Sequence, residues 1–238
     1  MLPSKLNKKI GQALHDYDMI SDGDRILVAV SGGVDSLVTA WILQMWMAKA
    51  PIHYYLEAVY VDHGYWSSDS EGEAPADLIG RQMERFAIPF STVQGWQLKN
   101  HQQGSCFYCS RNRRSQLFDL ARKKNCRKLA LGHHKDDLLE TFFLNALYCG
   151  NISTMLPRQD LFGGGLALIR ILSYLDKNEI VTIAKAAGIE SVKNYCPFSG
   201  DTKRETVRNL LHHIYHTVPG AKSSLFSALG NVKDGYTL

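Results

Sequence analysis

Two cysteines three positions apart, Cys106 and Cys109, are followed at once by Arg111, Arg113 and Arg114 in the string GSCFYCSRNRR, residues 104–114. Thiols at this spacing serve a zinc site, a redox dithiol, a disulfide or an iron–sulfur centre, and the adjoining guanidinium groups suit an anion nearby. The string alone leaves all of these open. The chain has five cysteines, at 106, 109, 126, 149 and 196, an odd number that argues against a disulfide framework. Cys126 and Cys149 lie in segments that read as core and are expected to be buried apolar thiols. Cys106, Cys109 and Cys196 remain for chemistry.

A second constellation is AVSGGVDS, residues 29–36, directly after an apolar run. Adjacent Gly32 and Gly33 let the backbone turn tightly, so that successive N–H groups from Ala29 onward line a concavity. Ser31 and Ser36 add hydroxyls, and the start of a helix adds partial positive charge. Such a turn cradles a phosphate-sized anion. It lacks the lysine of a Walker loop and the third glycine of a dinucleotide turn. Two further strings end apolar runs in polar groups: VYVDHG (59–64), with Asp62 and His63, and LGHHKDD (131–137), with Gly132, His133, Asp136 and Asp137. Paired acids opening a helix ordinarily complement its dipole, worth about 1 kcal/mol.

These strings need elements to hold them. Short β-rich runs at 25–30, 54–61, 88–94, 127–132 and 166–172 alternate with helical stretches, which predicts an α/β fold with a parallel sheet covered on both faces. In such sheets ligands bind at the carboxyl ends of the strands, where 31–36, 62–64 and 132–137 fall. The expected division is a helix over 1–22, a main domain over 23–190 carrying the inserted Cys-x-x-Cys helix, and a partly helical tail over 191–238 that carries Cys196. At 238 residues and 45% hydrophobic content the chain can bury a core of this size. Its longest apolar run, Leu37 to Met47, is too short for a membrane span, and the lysine-bearing, amphipathic amino terminus is unlike a signal peptide. A cytoplasmic protein with no membrane partner is therefore expected. Net charge is only +4, yet Arg111, Arg113, Arg114, Arg122, Lys123, Lys124, Arg127 and Lys128 fall close together, opposed by Asp119 alone. That run reads as a solvated helix face or as a surface for an anionic partner such as RNA.

SGGVDS after an apolar strand resembles the PP-loop of the ATP pyrophosphatases, and VYVDHG and LGHHKDD are similar to that superfamily's second-strand and Gly-His-x-x-Asp-Asp stretches. The fold implied is the adenine nucleotide alpha hydrolase-like, Rossmann-like domain with a small helical extension. Over about residues 20–235 the chain resembles the tRNA 2-thiocytidine synthetases. In them a Cys-x-x-Cys and an arginine pair lead into Gly-His-His-x-Asp-Asp; RILSYLDKNEI and NYCPFSGDTKRETVRNLL are similar to later blocks. The resemblance implies ATP-dependent thiolation of cytidine 32 in a tRNA. ATP·Mg²⁺ adenylates the C2 oxygen, the loop retains pyrophosphate, and sulfur displaces AMP. It implies a [4Fe–4S] cluster on Cys106, Cys109 and Cys196, with one open iron to carry the sulfide.

The same resemblance implies that Arg113 supports phosphate or developing negative charge and that Asp137 binds metal or assists attack. Asp35 serves metal, and Ala29, Ser31, Gly32, Gly33, Ser36, Asp62, His63, Gly132, His133 and Asp136 bind the nucleotide. It further implies a sulfur donor such as a cysteine desulfurase, and a homodimer. Phe107 and Tyr108, between the cysteines, suit stacking on an RNA base or packing around a cluster. Three alternatives stand beside this reading. One is thiolation of a uridine; another is an amide-forming PP-loop ligase with structural zinc, its fourth ligand from His101, His133 or His134. The third is a non-enzymatic iron–sulfur sensor. The chain departs from better-known members in its shorter termini, its lone distal Cys196, and RIL where Arg-Pro-Leu is common.

Overall fold

The structure, a computed structural model, describes residues 2–97, 106–198 and 203–233. His101, the first of the alternative zinc ligands, lies outside them. The β-rich runs form β1 (Arg25–Ala29), β2 (Tyr55–Asp62), β3 (Phe90–Gln94), β4 (Lys128–Ala130), β5 (Arg158–Leu161) and β6 (Leu166–Ile169), hydrogen-bonded in the order β3-β2-β1-β4-β6-β5. All pairings are parallel except that of β5 with β6, which is antiparallel. The expected parallel sheet therefore carries one antiparallel edge strand. Its sequence, RQDL, has no alternating apolar signal, and the chain reverses after it through Gly163 and Gly164 at φ 63° and 90°.

The helices are α1 (Ser4–Asp16), α2 (Val34–Met47), α3 (Pro75–Arg85), α4 (Cys106–Lys123), α5 (Lys135–Cys149), α6 (Lys177–Ala187), α7 (Lys203–Thr217) and α8 (Ala221–Ala228). Alternate residues of a strand face opposite sides of the sheet. Ile26 and Val28 of β1 accordingly join Leu56 and Ala58 of β2 beneath α1, α2, α3 and α6, which contribute Ile10, Leu37, Ile79 and Ile180. Leu27, Val59 and Val61 point the other way, to Leu117 and Ala121 of α4. Both faces are thus covered, as a parallel sheet requires. The sequence signals for α6 hold in detail: Asp176 and Glu179 close a capping box, and Gly188 ends the helix in the left-handed conformation that a residue with a Cβ resists.

Contacts divide the chain into two units whose limits differ from the sequence divisions. The first comprises Met1–His134 and Pro157–Ser199 and contains the sheet. The second comprises Lys135–Leu156 and Gly200–Leu238. In it α5, α7 and α8 pack around Leu139, Val207 and Leu211. Cys126 is buried as expected, but Cys149, at the carboxyl end of α5, is exposed. Its helix turns Leu139 and Phe143 to the core, and the last turn, with Leu147 and Tyr148, is left in solvent.

Candidate active site

In the strand order, the chain leaves β1 for β2 and β3 on one side, then returns to β4 on the other. The loops after β1 and β4 therefore flank the switch point at the carboxyl edge of the sheet, the place where ligands bind in such folds. SGGVDS occupies the first of these loops. Gly32 has φ 82°, open to glycine without strain, and a Cβ there would come within 3.0 Å of the Val192 side chain. Ser36 Oγ donates to the Gly33 carbonyl at 2.8 Å and accepts from the Ser31 amide at 3.0 Å, locking the turn onto the first residues of α2. The opening turn of a helix leaves amides without intrahelical partners, and α2 opens directly on this loop.

LGHH, residues 131–134, occupies the second loop. A Cβ on Gly132 would lie 2.7 Å from the Ser36 amide nitrogen and 2.9 Å from the Asp35 carbonyl carbon, so only glycine lets the two loops touch. Asp35 receives Lys177 Nζ on both carboxylate oxygens, at 2.6 and 2.7 Å, with His134 Nε2 3.8 Å away. His133 Nδ1 accepts from Arg170 Nε at 3.3 Å. Burial, reinforced by the nearby Arg114, lowers the Arg170 guanidinium to about 10. Neither Lys177 nor Arg170 was expected at the site. Both are far from these loops in sequence, and only the order of β4, β6 and α6 brings them in.

At the end of β2, Asp62 Oδ1 accepts the Gly64 amide at 2.8 Å and the Asp62 carbonyl accepts the Gly95 amide at 2.6 Å, so this carboxylate shapes its own turn. His63 follows it. Burial, with Arg113 adding to it and Asp62 opposing, holds its imidazole below the ordinary value. Its Nε2 is buried and makes no hydrogen bond among the described residues.

The cysteine pair sits in the first turn of α4. Cys106, Cys109, Arg113 and Gln116 follow one another at helical spacing along one face. Gln116, buried, accepts from the Trp96 amide at 2.9 Å and donates to the Gln94 carbonyl at 2.6 Å, while Asn112 donates to the Trp96 carbonyl at 3.0 Å. These bonds pin the face to the exit of β3. Cys196 arrives from the other direction: the Val192 amide donates to the Gly32 carbonyl at 2.8 Å, and four residues of chain reach at most about 14 Å beyond it. Near the pair, Cys106 Sγ donates to the Phe198 carbonyl at 3.5 Å. Burial first, then Cys109, Cys196 with a hydrogen bond from the phenol, and Cys106, push the Tyr65 phenol up. The Cys109 thiol is also pushed up by burial, and more weakly by Cys196 and Cys106, against the pull of Arg113. The three thiols thus share one electrostatic neighbourhood.

Among the described residues, no three His, Cys, Asp or Glu side chains converge as ligands of a single metal ion. A four-iron cluster is a larger body than an ion, and a set of soft thiols is the donor chemistry it takes, so the three cysteines fit one.

The basic run is divided. Lys128 is buried with Asp24 3.7 Å away, Lys124 pairs with Glu57, and Arg122 and Lys123 both bind Asp119 at 2.8 Å. Arg111, Arg113 and Arg114 are exposed, as are Phe107 and Tyr108, whose rings meet edge to face at 5.4 Å.

Asp136 and Asp137 belong to the second unit. There Asp136 pairs with Lys222 and Asp137 with Arg204 at 3.5 Å. Glu140, buried, takes a bidentate contact from Arg208 at 2.8 and 3.2 Å. Sequence reasoning missed these partners, because pairing across three helices leaves no local pattern.

A family model described as the PP-loop domain matches residues 2–214. The tRNA-cytidine(32) 2-sulfurtransferase of Geobacter sulfurreducens is 37% identical over 98% of this chain and 92% of its own, and that of Syntrophotalea carbinolica is 36% identical over 98% and 91%. The U34-tRNA thiolase NcsA from Methanococcus maripaludis, solved with its [4Fe–4S] cluster, superposes with a TM-score of 0.76 at 21% identity, over 96% of this chain and 80% of that one; at this identity the likeness bears on the fold. With the phosphate loop at the switch point of the sheet and relatives matched nearly end to end, the chain belongs to the PP-loop domain family and, within it, to the tRNA-cytidine(32) 2-sulfurtransferases.

Proposed function

We propose that this protein replaces the C2 oxygen of cytidine 32 in a tRNA with sulfur, using ATP. The observation that best supports the reading is the hydrogen bond from Cys106 Sγ to the Phe198 carbonyl at 3.5 Å, which sets the first cysteine of the pair beside the segment of Cys196, itself tied to the phosphate loop through Val192 and Gly32. The chemistry is two displacements. The C2 oxygen attacks the α-phosphorus of ATP and pyrophosphate leaves; a sulfur nucleophile then attacks C2 and AMP leaves. A [4Fe–4S] cluster, when bound by Cys106, Cys109 and Cys196, supplies a place to hold and deliver that sulfur, which comes from a donor such as a cysteine desulfurase.

The chain's own residues serve the first displacement. Ser31, Gly32, Gly33 and Ser36, with the opening amides of α2, hold the departing pyrophosphate, and Asp35 takes the magnesium that accompanies ATP. Ala29 ends β1 beneath the loop. Gly132 keeps the second loop against the first, and Arg170 orients His133 through Nδ1 beside the nucleotide. His63, held neutral by burial, contributes its imidazole to the nucleotide site beside the turn that Asp62 shapes. Arg113, whose charge acts on both His63 and Cys109, stabilises negative charge on the phosphate leaving with AMP. The roles of Asp136 and Asp137 toward metal and nucleotide rest on their place in the chain directly after the β4 loop. Arg111 and Arg114 offer phosphate contacts to the tRNA, and Phe107 and Tyr108 offer stacking surface to an unpaired base.

Nucleoside mass spectrometry of tRNA from cells with and without the gene tests this. Loss of 2-thiocytidine on deletion supports it. Its persistence refutes it, and loss of a thiouridine instead would move the target to another base.

A further inference from the structure

Lys177 stands where a cation is locally unwelcome. It is the first residue of α6, at the positive end of the helix dipole, and the capping box formed by Asp176 and Glu179 offsets part of that cost. What it reaches from there is Asp35: Nζ donates to both oxygens of that carboxylate, at 2.6 and 2.7 Å. The Asp35 side chain is 27% exposed and that of Lys177 44%, so solvent reaches the pair and the ammonium can move. Asp35 is also the carboxylate in the first turn of α2, next to the phosphate loop. A divalent ion binding there needs at least one of the oxygens that Lys177 holds, and two cations cannot share an oxygen at this distance without strong repulsion.

We propose that Lys177 is the resident counter-cation of the phosphate loop. Without nucleotide it holds the Asp35 carboxylate in its ligating position; the divalent ion that accompanies ATP displaces it, and the released ammonium, on its four-carbon stem, turns to the polyphosphate. This rests on the reading that the loop binds ATP. Lys177 then sets how much divalent ion the site needs before it accepts nucleotide. His134, 3.8 Å from Asp35, remains in place on the other side of the carboxylate.

Two measurements on the full chain test it. Amine acetylation read by peptide mass spectrometry, without nucleotide, reports the pairing of Lys177. Mg²⁺ alone raises its labelling about threefold or more and chelation reverses this, while Lys9, paired with Glu179 at 2.6 Å, is unchanged. In Lys177→Met, the Mg²⁺ concentration for half-maximal ATP binding, measured by equilibrium dialysis, falls about threefold or more. Unchanged labelling of Lys177 in a chain that still binds ATP in a Mg²⁺-dependent way overturns the inference and leaves ATP binding standing. So does a Mg²⁺ requirement that is unchanged or higher in the variant. If the variant does not fold, the labelling of the unaltered chain decides. A chain that binds no ATP with or without Mg²⁺ removes the reading and the inference together.

Discussion

Gly132→Ala is the sharpest test of how the two loops are joined. The added methyl would lie 2.7 Å from the Ser36 amide nitrogen and 2.9 Å from both the Asp35 carbonyl carbon and the Ser36 Cα, all of them backbone atoms of the phosphate loop. Ordinary contact begins at 3.4 Å, so the loops must part by the difference between 2.7 and 3.4 Å, about 0.7 Å. No side chain can swing away to absorb this. Overpacking of this kind costs about 1–3 kcal/mol, which for a chain of this size lowers the melting temperature by about 2–12 °C. The functional cost is larger. A shift approaching 1 Å between catalytic groups and substrate costs about 100-fold in rate, so single-turnover thiolation falls about 10- to 100-fold. Gly230→Ala is the control, since a Cβ there meets nothing within 4 Å. An alanine variant that melts low but binds ATP and thiolates tRNA at the normal rate would refute the claim that this contact sets the loop's working position.

Three further outcomes are expected. Because burial lowers the His63 imidazole, the folded state prefers it neutral; as pH falls below the unfolded value of about 6.5, the unfolded chain takes up the proton first and stability drops. In urea denaturation between about pH 8 and about pH 5, His63→Gln therefore loses less stability than the unaltered chain, and equal losses would contradict the assignment. Arg208→Met strips the buried Glu140 of its bidentate partner and lowers stability by about 1–3 kcal/mol, whereas joint replacement of Glu140 and Arg208 by leucine recovers most of it; thermal melts of both variants check this. Arg113→Gln removes a charge that pulls the Cys109 thiol down, so alkylation of Cys109 in metal-free protein at about pH 8 slows about two- to fivefold while the exposed Cys149 reacts as before.

Legibility in the sequence followed the range of the interaction. Gly32, Ser36 and the caps of α6 act within a few residues, and their spacing already stated their conformation. The alternation of strands and helices likewise fixed which loops lie at the carboxyl edge. The edge strand β5 escaped because RQDL has no period-2 pattern and is held by its pairing with β6. Lys177, Arg170 and Gln116 escaped for a different reason: each meets its partner across a large separation in the chain, and nothing in a lysine at a helix start or a glutamine on a basic helix announces that partner. The basic run misled in its second half, where Lys124 and Lys128 are consumed by Glu57 and Asp24. The cysteines were legible as a set only through resemblance. The segment that carries Cys196 is tied to the phosphate loop by Val192 docking at Gly32, a tertiary bond that no local pattern announces.

The central claim is that Cys106, Cys109 and Cys196 act as one group beside the phosphate loop to thiolate cytidine 32. Its most direct measurement is 2-thiocytidine in the tRNA of a bacterial strain lacking its own tRNA-cytidine(32) 2-sulfurtransferase and expressing this chain or its cysteine variants. The account predicts that the unaltered chain and Cys149→Ala restore the nucleoside, and that Cys106→Ala, Cys109→Ala and Cys196→Ala each leave it absent. Restoration by a stably expressed Cys196→Ala would contradict it.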